Sequence, residues 1–346
     1  MEYRKISVFM ILLGFAVSVF GQQEPQFSQY MYTILPTNPG YAGNAGICAS
    51  LHYRQQWAGF VDVIYKESGE KEQYKTSPRG ILATIHTPIK GRHGVGLSIY
   101  NDALGYQNDI AVKLAYAYRI NISGGTLGLG LSADFLSRTF RKDLYVLGQS
   151  GEDAIVRDMN NDMHIDVSFG AFFQMQEKWY AGASATQLIS AIGGDKDHQK
   201  AARHVYFLGG YKYELPSNPD WSLKPSALIK TDLTNVQFDL TLLADYNNFL
   251  WFGVSYRMVD AVAILVGAKP FLNFSGAIKG LEVIGSYDIT TSKMLQRIDN
   301  DFKGSKGRSL GGYEFCIKYC FNIVTKPTIY GYKNTKLLGN RPIEYR

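Results

Sequence analysis

The stretch MHIDVSFGAFFQM, residues 163–175, decides the fold class because apolar and polar side chains alternate along it. One face is apolar and carries Ile165, Val167, Phe169, Phe173 and Met175. The other face is polar or small and carries His164, Asp166, Ser168, Gly170 and Gln174. Side chains of a β-strand alternate between its two faces, so this segment predicts a strand with one face in lipid and one in water.

Similar two-sided segments recur along the chain at 108–119, 126–135 and 236–246. Segments of roughly ten residues with this alternation, separated by turn residues, are typical of a transmembrane β-barrel. The sequence therefore predicts an all-β fold, a transmembrane antiparallel β-barrel in the outer membrane that contacts its lipid.

The first 21 residues predict export. Arg4 and Lys5 precede a mostly apolar core, and Val19, Phe20 and Gly21 form a cleavage site before Gln22. We interpret 1–21 as a signal peptide, since its apolar core is short for a membrane helix, which needs about 20 apolar residues. Beyond it, no segment approaches that length.

Composition agrees with an exported barrel and excludes other classes. Aromatic residues make up 14% of the chain and charged residues 19%, which is below the usual share of about 25% in soluble domains. The net charge is +6, but an exported chain without a basic block is not expected to bind nucleic acid. Much of the positive excess lies in the segment 322–346.

The spacing of candidate strands predicts about 14 of them, with 12 or 16 as alternatives. Three candidates, 178–187, 202–213 and 261–269, have mixed faces and are the least regular. Long connections follow only odd-numbered strands. Outer-membrane barrels have long loops outside and short turns in the periplasm, so both termini are predicted to be periplasmic. The long connections are 57–78, 136–162, 188–201 and 289–311.

The chain is accordingly divided into four parts. These are the signal peptide 1–21, a periplasmic N-terminal segment 22–46, the barrel 47–321 and a basic periplasmic tail 322–346. The last strand, 312–321, alternates and ends in Phe321, as barrel assembly requires of a closing strand.

Three motifs near the start of the mature chain are more specific. They read PQFSQYM from Pro25, NPGYAG from Asn38 and YRQQWAGF from Tyr53. Together with GGYEF from Gly311, they resemble the PorP/SprF family of outer-membrane proteins in the type IX secretion and gliding motility systems of Bacteroidetes. Gly40 stands where the family pattern is expected to have alanine.

The resemblance implies a non-catalytic component of type IX protein secretion that docks secreted cargo or a surface adhesin. Its implied partners are the C-terminal domain of such cargo and the periplasmic ring lipoprotein with its associated subunits. The alternative is a diffusion or uptake channel, which the many charged residues predicted to face the lumen would suit. The long loops and the basic tail favour the docking component.

Two interpretations of the motif residues are open: they stabilise the fold, or they contact a partner directly. Asn38-Pro39-Gly40 is a turn sequence, because proline fixes φ and glycine tolerates positive φ. Arg54 is expected to face carboxylates such as Asp109, Asp239 or Glu314 in the lumen. The full candidate set is Phe27, Tyr30, Asn38, Pro39, Tyr41, Arg54, Trp57, Gly59 and Phe60, with Trp57 explained sufficiently as an aromatic residue at the membrane interface.

Among the cysteines, Cys316 and Cys320 lie four positions apart on one strand, about 13 Å, too far for a disulfide. Cys48 begins the first strand on the lumenal face, and a closed barrel places Cys320 beside it. A Cys48–Cys320 bridge across the seam is therefore possible in an oxidising compartment.

Enzyme chemistry finds little support in the sequence. His164, Asp166 and Ser168 share one face of one strand, but neighbours on that face stand about 7 Å apart, and a triad draws its members from converging elements. The six histidines are scattered and no Cys-x-x-Cys pair is present. We predict no catalytic residues, no cofactor and no metal site.

Overall fold

A computed structural model describes residues 26–44, 46–59, 62–65, 71–74, 77–105, 107–122, 124–140, 162–175, 178–189, 203–258, 260–269, 280–291 and 311–321. No helix among these residues has the length and apolar character needed to cross a membrane. Three short helical turns lie near the start, at Tyr30–Tyr32, Ile34–Thr37 and Pro39–Tyr41.

Strands make up most of the described chain. Their bounds are β1 Ile47–Gln55, β2 Asp62–Tyr65, β3 Lys71–Tyr74, β4 Arg79–Ile89, β5 His93–Leu104, β6 Gln107–Ile122, β7 Gly125–Phe140, β8 Asp162–Met175, β9 Trp179–Thr186, β10 His204–Tyr211, β11 Tyr213–Glu214, β12 Trp221–Thr231, β13 Val236–Tyr246, β14 Leu250–Arg257, β15 Ala261–Ala268, β16 Leu281–Thr290 and β17 Gly312–Phe321.

Fourteen of these strands close into an antiparallel barrel, as predicted. The strands pair in chain order, β10 pairs with β12, and β17 pairs with β1 to close the wall. The strands β2 and β3 form a separate hairpin within the first long connection, which the sequence had not predicted. The two-residue β11 only extends the edge of β12.

The two faces of the wall follow the predicted alternation. Ile165 and Phe169 of β8 have 62% and 45% of their surface exposed, so they point outward, while Asp166 and Ser168 are buried inside. Leu240 of β13 is likewise 54% exposed. An apolar exterior around a polar interior is the arrangement that a bilayer imposes on a barrel. The three irregular candidates are also strands, at β9, β10 and β15.

The two rims of the barrel differ. The connections after β1, β7, β9 and β16 are long and leave from one rim, which we call the loop rim. The opposite rim, the turn rim, carries the start of β1 and the end of β17, where Ile47 pairs with Phe321.

Strands β6 and β7 extend beyond their predicted ends, because Arg138 of β7 still faces inward and pairs with Asp109 of β6 at 2.8 Å.

A tight turn at the loop rim joins β12 to β13. The carboxylate of Asp232 accepts hydrogen bonds from the backbone N–H groups of Thr234 at 3.0 Å and Asn235 at 2.6 Å. Partial burial raises the pKa of Asp232, but these hydrogen bonds and those from the two side chains outweigh it and lower the pKa to about 2. The Asp232 carboxylate of this turn therefore stays ionised at any physiological pH.

Candidate functional site

The chain segment before the barrel lies inside the lumen. We call residues 26–44 the plug. Near the loop rim, Gln26 donates a hydrogen bond to Asp239 at 2.6 Å. At mid-height, the Tyr30 hydroxyl lies 2.8 Å from the Ser226 hydroxyl. The segment 22–46 was predicted to be periplasmic. Its described residues lie within the barrel instead, because the inward faces of the strands provide their hydrogen-bond partners.

One carboxylate near the loop rim binds the backbone of the plug. Glu314 of β17 accepts hydrogen bonds from the backbone N–H groups of Ser28 at 2.7 Å and Gln29 at 3.1 Å. The Arg54 guanidinium lies 2.9 Å from the same carboxylate. Glu314 is one of the three carboxylates that the sequence offered to Arg54; Asp109 pairs with Arg138 and Asp239 with Arg257 instead.

Four more charged side chains surround Glu314, and we call the five the anchor cluster: Arg54, Asp239, Arg257, Asp288 and Glu314. All five are buried. Arg257 lies 3.4 Å from Asp239 and 3.9 Å from Asp288, while Arg54 lies 3.5 Å from Asp288. A buried charge is costly unless it is paired and hydrogen-bonded. The cluster is built around such pairs.

The plug contributes to the hydrogen bonding of this cluster. The Ser28 hydroxyl donates to Asp288 at 2.7 Å and accepts from Arg257 at 2.9 Å. One serine therefore bridges a carboxylate of β16 and a guanidinium of β14. Together with its backbone N–H, Ser28 contacts three of the five charged groups, so the position of the plug and the pairing of the cluster depend on each other.

Toward the turn rim, the NPG motif rests on a surface free of side chains. The Asn38 side chain accepts from the Gly40 N–H at 3.0 Å and donates to the Ala171 carbonyl at 3.0 Å. A Cβ added at Gly130 would overlap the backbone of Pro39, and one at Gly170 would overlap Asn38. These inward glycines let the plug backbone approach the wall closely.

Gly40 plays a different role from the one predicted. Its φ is not among the positive values, and it lies within the helical turn Pro39–Tyr41. A Cβ there would lie 2.7 Å from the Gly128 carbonyl oxygen and 2.9 Å from that of Gly170. Glycine at this position is explained by close approach to the wall rather than by backbone torsion.

Aromatic side chains of the plug pack against the wall. Tyr41 meets Phe172 edge to face with ring centroids 5.0 Å apart, and Tyr32 stacks on Trp251 at 5.6 Å. Phe27 contacts the His52 ring at 5.8 Å. Contacts of this kind bury apolar surface in addition to their geometric preference. Phe172 was not among the predicted site residues, although its even position places it on the inward face.

Two further motif residues lie beyond the end of β1. Trp57 and Gly59 follow the end of β1 at the loop rim, both with positive φ, of 46° and 86°. The neighbouring Ala58 N–H donates to the Gly311 carbonyl at 2.7 Å, which ties this turn to the start of β17. Phe60 lies outside the described residues. The interfacial role of Trp57 stays a prediction.

The closing seam carries a disulfide between Cys48 and Cys320, the pair that the sequence places side by side. The two residues are directly opposite in the β1–β17 register, with Cα atoms 4.1 Å apart. Cys316 is a free, buried thiol 3.5 Å from the His52 ring nitrogen. The bridge lies at the turn rim, immediately after the plug joins β1.

The polar residues of β8 are committed to structural hydrogen bonds. The Asp166 carboxylate accepts from the backbone N–H groups of Val167 at 2.7 Å and Ile189 at 2.8 Å. The Ser168 hydroxyl donates to Asp134. Within the described ranges, no group of three histidine, cysteine or acidic side chains is placed to hold a metal ion.

A closed barrel with an apolar exterior, a polar interior and one long-looped rim defines an outer-membrane β-barrel protein. The family model described as type IX secretion system membrane protein PorP/SprF matches residues 19–303. The chain therefore belongs to this family, as its motifs predicted, and it is an outer-membrane component of type IX secretion. No curated protein matches the sequence.

Several solved outer-membrane proteins are similar in fold. The toluene transporter TodX of Pseudomonas putida is 9% identical, covering 83% of this chain and 92% of its own, with a TM-score of 0.46. Omp33 of Acinetobacter baumannii is 9% identical over 80% and 99%, with a TM-score of 0.42. A FadL homologue of Pseudomonas aeruginosa is 12% identical over 82% and 98%, with a TM-score of 0.41. At these scores, the likenesses carry no weight in assigning a function.

Proposed function

We propose that the protein is a closed, non-catalytic docking platform in the outer membrane. Its loop rim faces the cell exterior and binds secreted cargo or a surface adhesin through the type IX C-terminal domain. Its turn rim faces the periplasm, where the basic tail 322–346 contacts the ring lipoprotein and associated subunits. The loop rim and the turn rim would serve in the same way whether the protein displays a gliding adhesin or takes part in general secretion.

The presence of the plug inside the lumen is the observation that supports this proposal best. The plug extends between the two rims and is hydrogen-bonded to opposite sides of the wall, at Glu314 and at Ala171. Several lumen charges are paired with one another, as Lys224 with Asp245 at 2.6 Å and Lys113 with Asp134 at 4.0 Å. A diffusion channel needs a water-filled path, whereas a platform does not.

The assignment of the two rims follows from the general design of outer-membrane barrels, which place long loops outside and short turns in the periplasm. Four long connections at one rim provide a large surface for a folded partner. The positive charges of 322–346, including Lys326, Lys333 and Arg341, suit an acidic surface on the periplasmic partner.

Two measurements on the purified protein test the proposal. In planar bilayers we expect no steady conductance, and immobilised type IX C-terminal domain is expected to capture the barrel. Replacing 141–161 at the loop rim with a short Gly-Ser turn is expected to abolish capture, while the matched replacement of 270–279 at the turn rim leaves it intact. Steady open pores together with no capture would establish the channel instead.

A further inference from the structure

We propose that the outside of the wall carries a binding site for the headgroup of an anionic phospholipid at the turn rim, the lower end of the barrel. The site is formed by the turn that joins β4 to β5 and by the neighbouring strand β6. We call its five residues the headgroup patch: Lys90, Arg92, His93, Tyr116 and Tyr118. All five are exposed.

The strand register gathers the patch at one place. His93, the first residue of β5, lies directly opposite Tyr118 of β6. Tyr116 lies two positions away on the same outward face, since side chains alternate along a strand. Lys90 and Arg92 belong to the turn that precedes His93, so both cations lie at the turn-rim end of this outward face.

Two tyrosine hydroxyls contact the polar groups of the patch. The Tyr116 hydroxyl lies 2.7 Å from Nδ1 of His93, and the Arg92 guanidinium donates to the Tyr118 hydroxyl at 3.5 Å. The Arg92 carbonyl accepts a hydrogen bond from the Arg119 N–H at 2.7 Å, which fixes the backbone of the turn. A guanidinium has five N–H donors, so Arg92 keeps donors for phosphate oxygens, which arginine binds in a bidentate manner.

The positive charge of the patch is not neutralised by the wall. Neither Lys90 nor Arg92 has an ion pair with another residue that the structure describes. No acidic residue occupies an outward position of β4, β5 or β6, because Asp102 and Asp109 fall on inward positions. Elsewhere at the same rim, Lys212 pairs with Glu214 at 3.2 Å. Cations at a membrane surface attract anionic lipids, so the patch favours a negatively charged headgroup.

An apolar surface continues from the patch along the wall. Leu97 and Ile99 of β5 point outward, and Ile85 of β4 and Leu114 of β6 flank Leu97 in the register. At about 3.3 Å per residue, the distance from His93 to Ile99 is about 20 Å. This surface can accept acyl chains while the headgroup lies on the patch. The occupant is therefore a lipid rather than a soluble phosphate or an acidic peptide.

The net charge of the headgroup decides which phospholipid binds. A zwitterionic headgroup carries an ammonium group that the two cations repel, whereas phosphatidylglycerol has none. Each cation near the surface contributes about 1 kcal/mol to binding an anionic lipid, so two cations give a preference of about 30-fold. The binding site depends only on the wall; its place in the periplasmic leaflet rests on the proposed function, which puts the turn rim in the periplasm.

Native mass spectrometry of the full chain in detergent tests the inference. The barrel is titrated with phosphatidylglycerol or with phosphatidylcholine of the same acyl chains, and the dissociation constant of the first bound lipid is measured. We expect the wild type to prefer phosphatidylglycerol about 30-fold. The double variant Lys90→Gln/Arg92→Gln is expected to lose this preference. The matched control Lys178→Gln/Lys212→Gln, which removes two cations elsewhere at the turn rim, is expected to keep it.

Three results would overturn the inference. They are equal affinity of the wild type for the two phospholipids, an equal loss of preference in both double variants when their heat-modifiable mobility shows them folded, and tighter binding of lipid A than of phosphatidylglycerol. Detergent micelles have no sides, so the result does not depend on which rim faces the periplasm. Failure of the capture measurement that tests the proposed function would therefore leave this result unchanged.

Discussion

Replacing Glu314 by glutamine is expected to release the upper end of the plug. The carboxylate accepts two backbone hydrogen bonds, from Ser28 and Gln29, and pairs with the Arg54 guanidinium. All three partners are donors. A glutamine side chain keeps one acceptor oxygen but presents an amide N–H₂ to the remaining donors. Of the ion pairs that Arg54 makes with described residues, the one with Asp288 at 3.5 Å remains.

The size of the effect follows from the burial of this site. The substitution replaces the charged acceptor of two backbone hydrogen bonds from the plug by a neutral amide. Each hydrogen bond to a charged group contributes about 1.5 to 3 kcal/mol, so a loss of about 3 kcal/mol is expected. Every 1.4 kcal/mol is a tenfold change in an equilibrium, so the population of barrels with a detached plug rises about 100-fold. The wall itself keeps its backbone pairing, because Glu314 contributes to the closing strand through main-chain hydrogen bonds that the substitution leaves in place.

Single-barrel recording in planar bilayers measures this directly. Glu314→Gln is expected to show openings that the wild type rarely shows, while both proteins keep the same heat-modifiable mobility on gels. Glu214→Gln is the matched control, since Glu214 is exposed and its ion pair within the described residues is with Lys212 at 3.2 Å, a surface pair of small energetic effect. An equal opening frequency in all three folded proteins would refute the role of Glu314 as the anchor of the plug.

Three further predictions concern the lower plug, the seam and the tail. Gly130→Ala should displace Pro39 and raise the opening frequency, because overpacking a close contact costs about 1 to 3 kcal/mol, whereas Gly285→Ala, which meets no atom within 4 Å, should not. Cys48→Ser should lower the urea midpoint of unfolding and make it insensitive to reductant, a disulfide contributing about 2 to 4 kcal/mol, while Cys316→Ser should keep the sensitivity. Deleting 322–346 should leave the barrel inserted but reduce co-purification of the periplasmic subunits; undiminished co-purification would show that the tail is passive.

The strands of the wall were predictable because every outward side chain within the membrane has to be compatible with lipid. Lipid accepts only apolar side chains there, so alternation survives wherever the inward face is polar, as in β8 and β13. The alternation weakens in β10 because some of its inward residues are apolar and contact the plug. Tyr206 and Leu208 face inward and pack with Tyr30 and Ile34 of the plug, so both faces of β10 are apolar.

The path of the plug was not predictable from the same pattern. Its helical turns are only three or four residues long, too short for a periodicity to show. The plug binds where the wall has glycines, at Gly130 and Gly170, so that its backbone contacts the wall backbone directly. In the sequence these glycines are only small residues on a polar face. The motif residues Asn38 and Tyr41 were identifiable, but nothing in the chain states that their partners are Ala171 and Phe172.

Some inward residues of the wall are apolar and pack against the plug, so the wall as well as the plug favours the closed state of the lumen. Phe172, Tyr206 and Leu208 are almost fully buried with the plug in place. In an open pore they would face water, at a cost of about 25 cal/mol for each Å² of apolar surface exposed. A channel has no need for such a lining, and the charges of the anchor cluster would lose partners at the same time. A sustained opening of the wild-type barrel therefore requires a ligand or partner that binds the open state more tightly than the closed one.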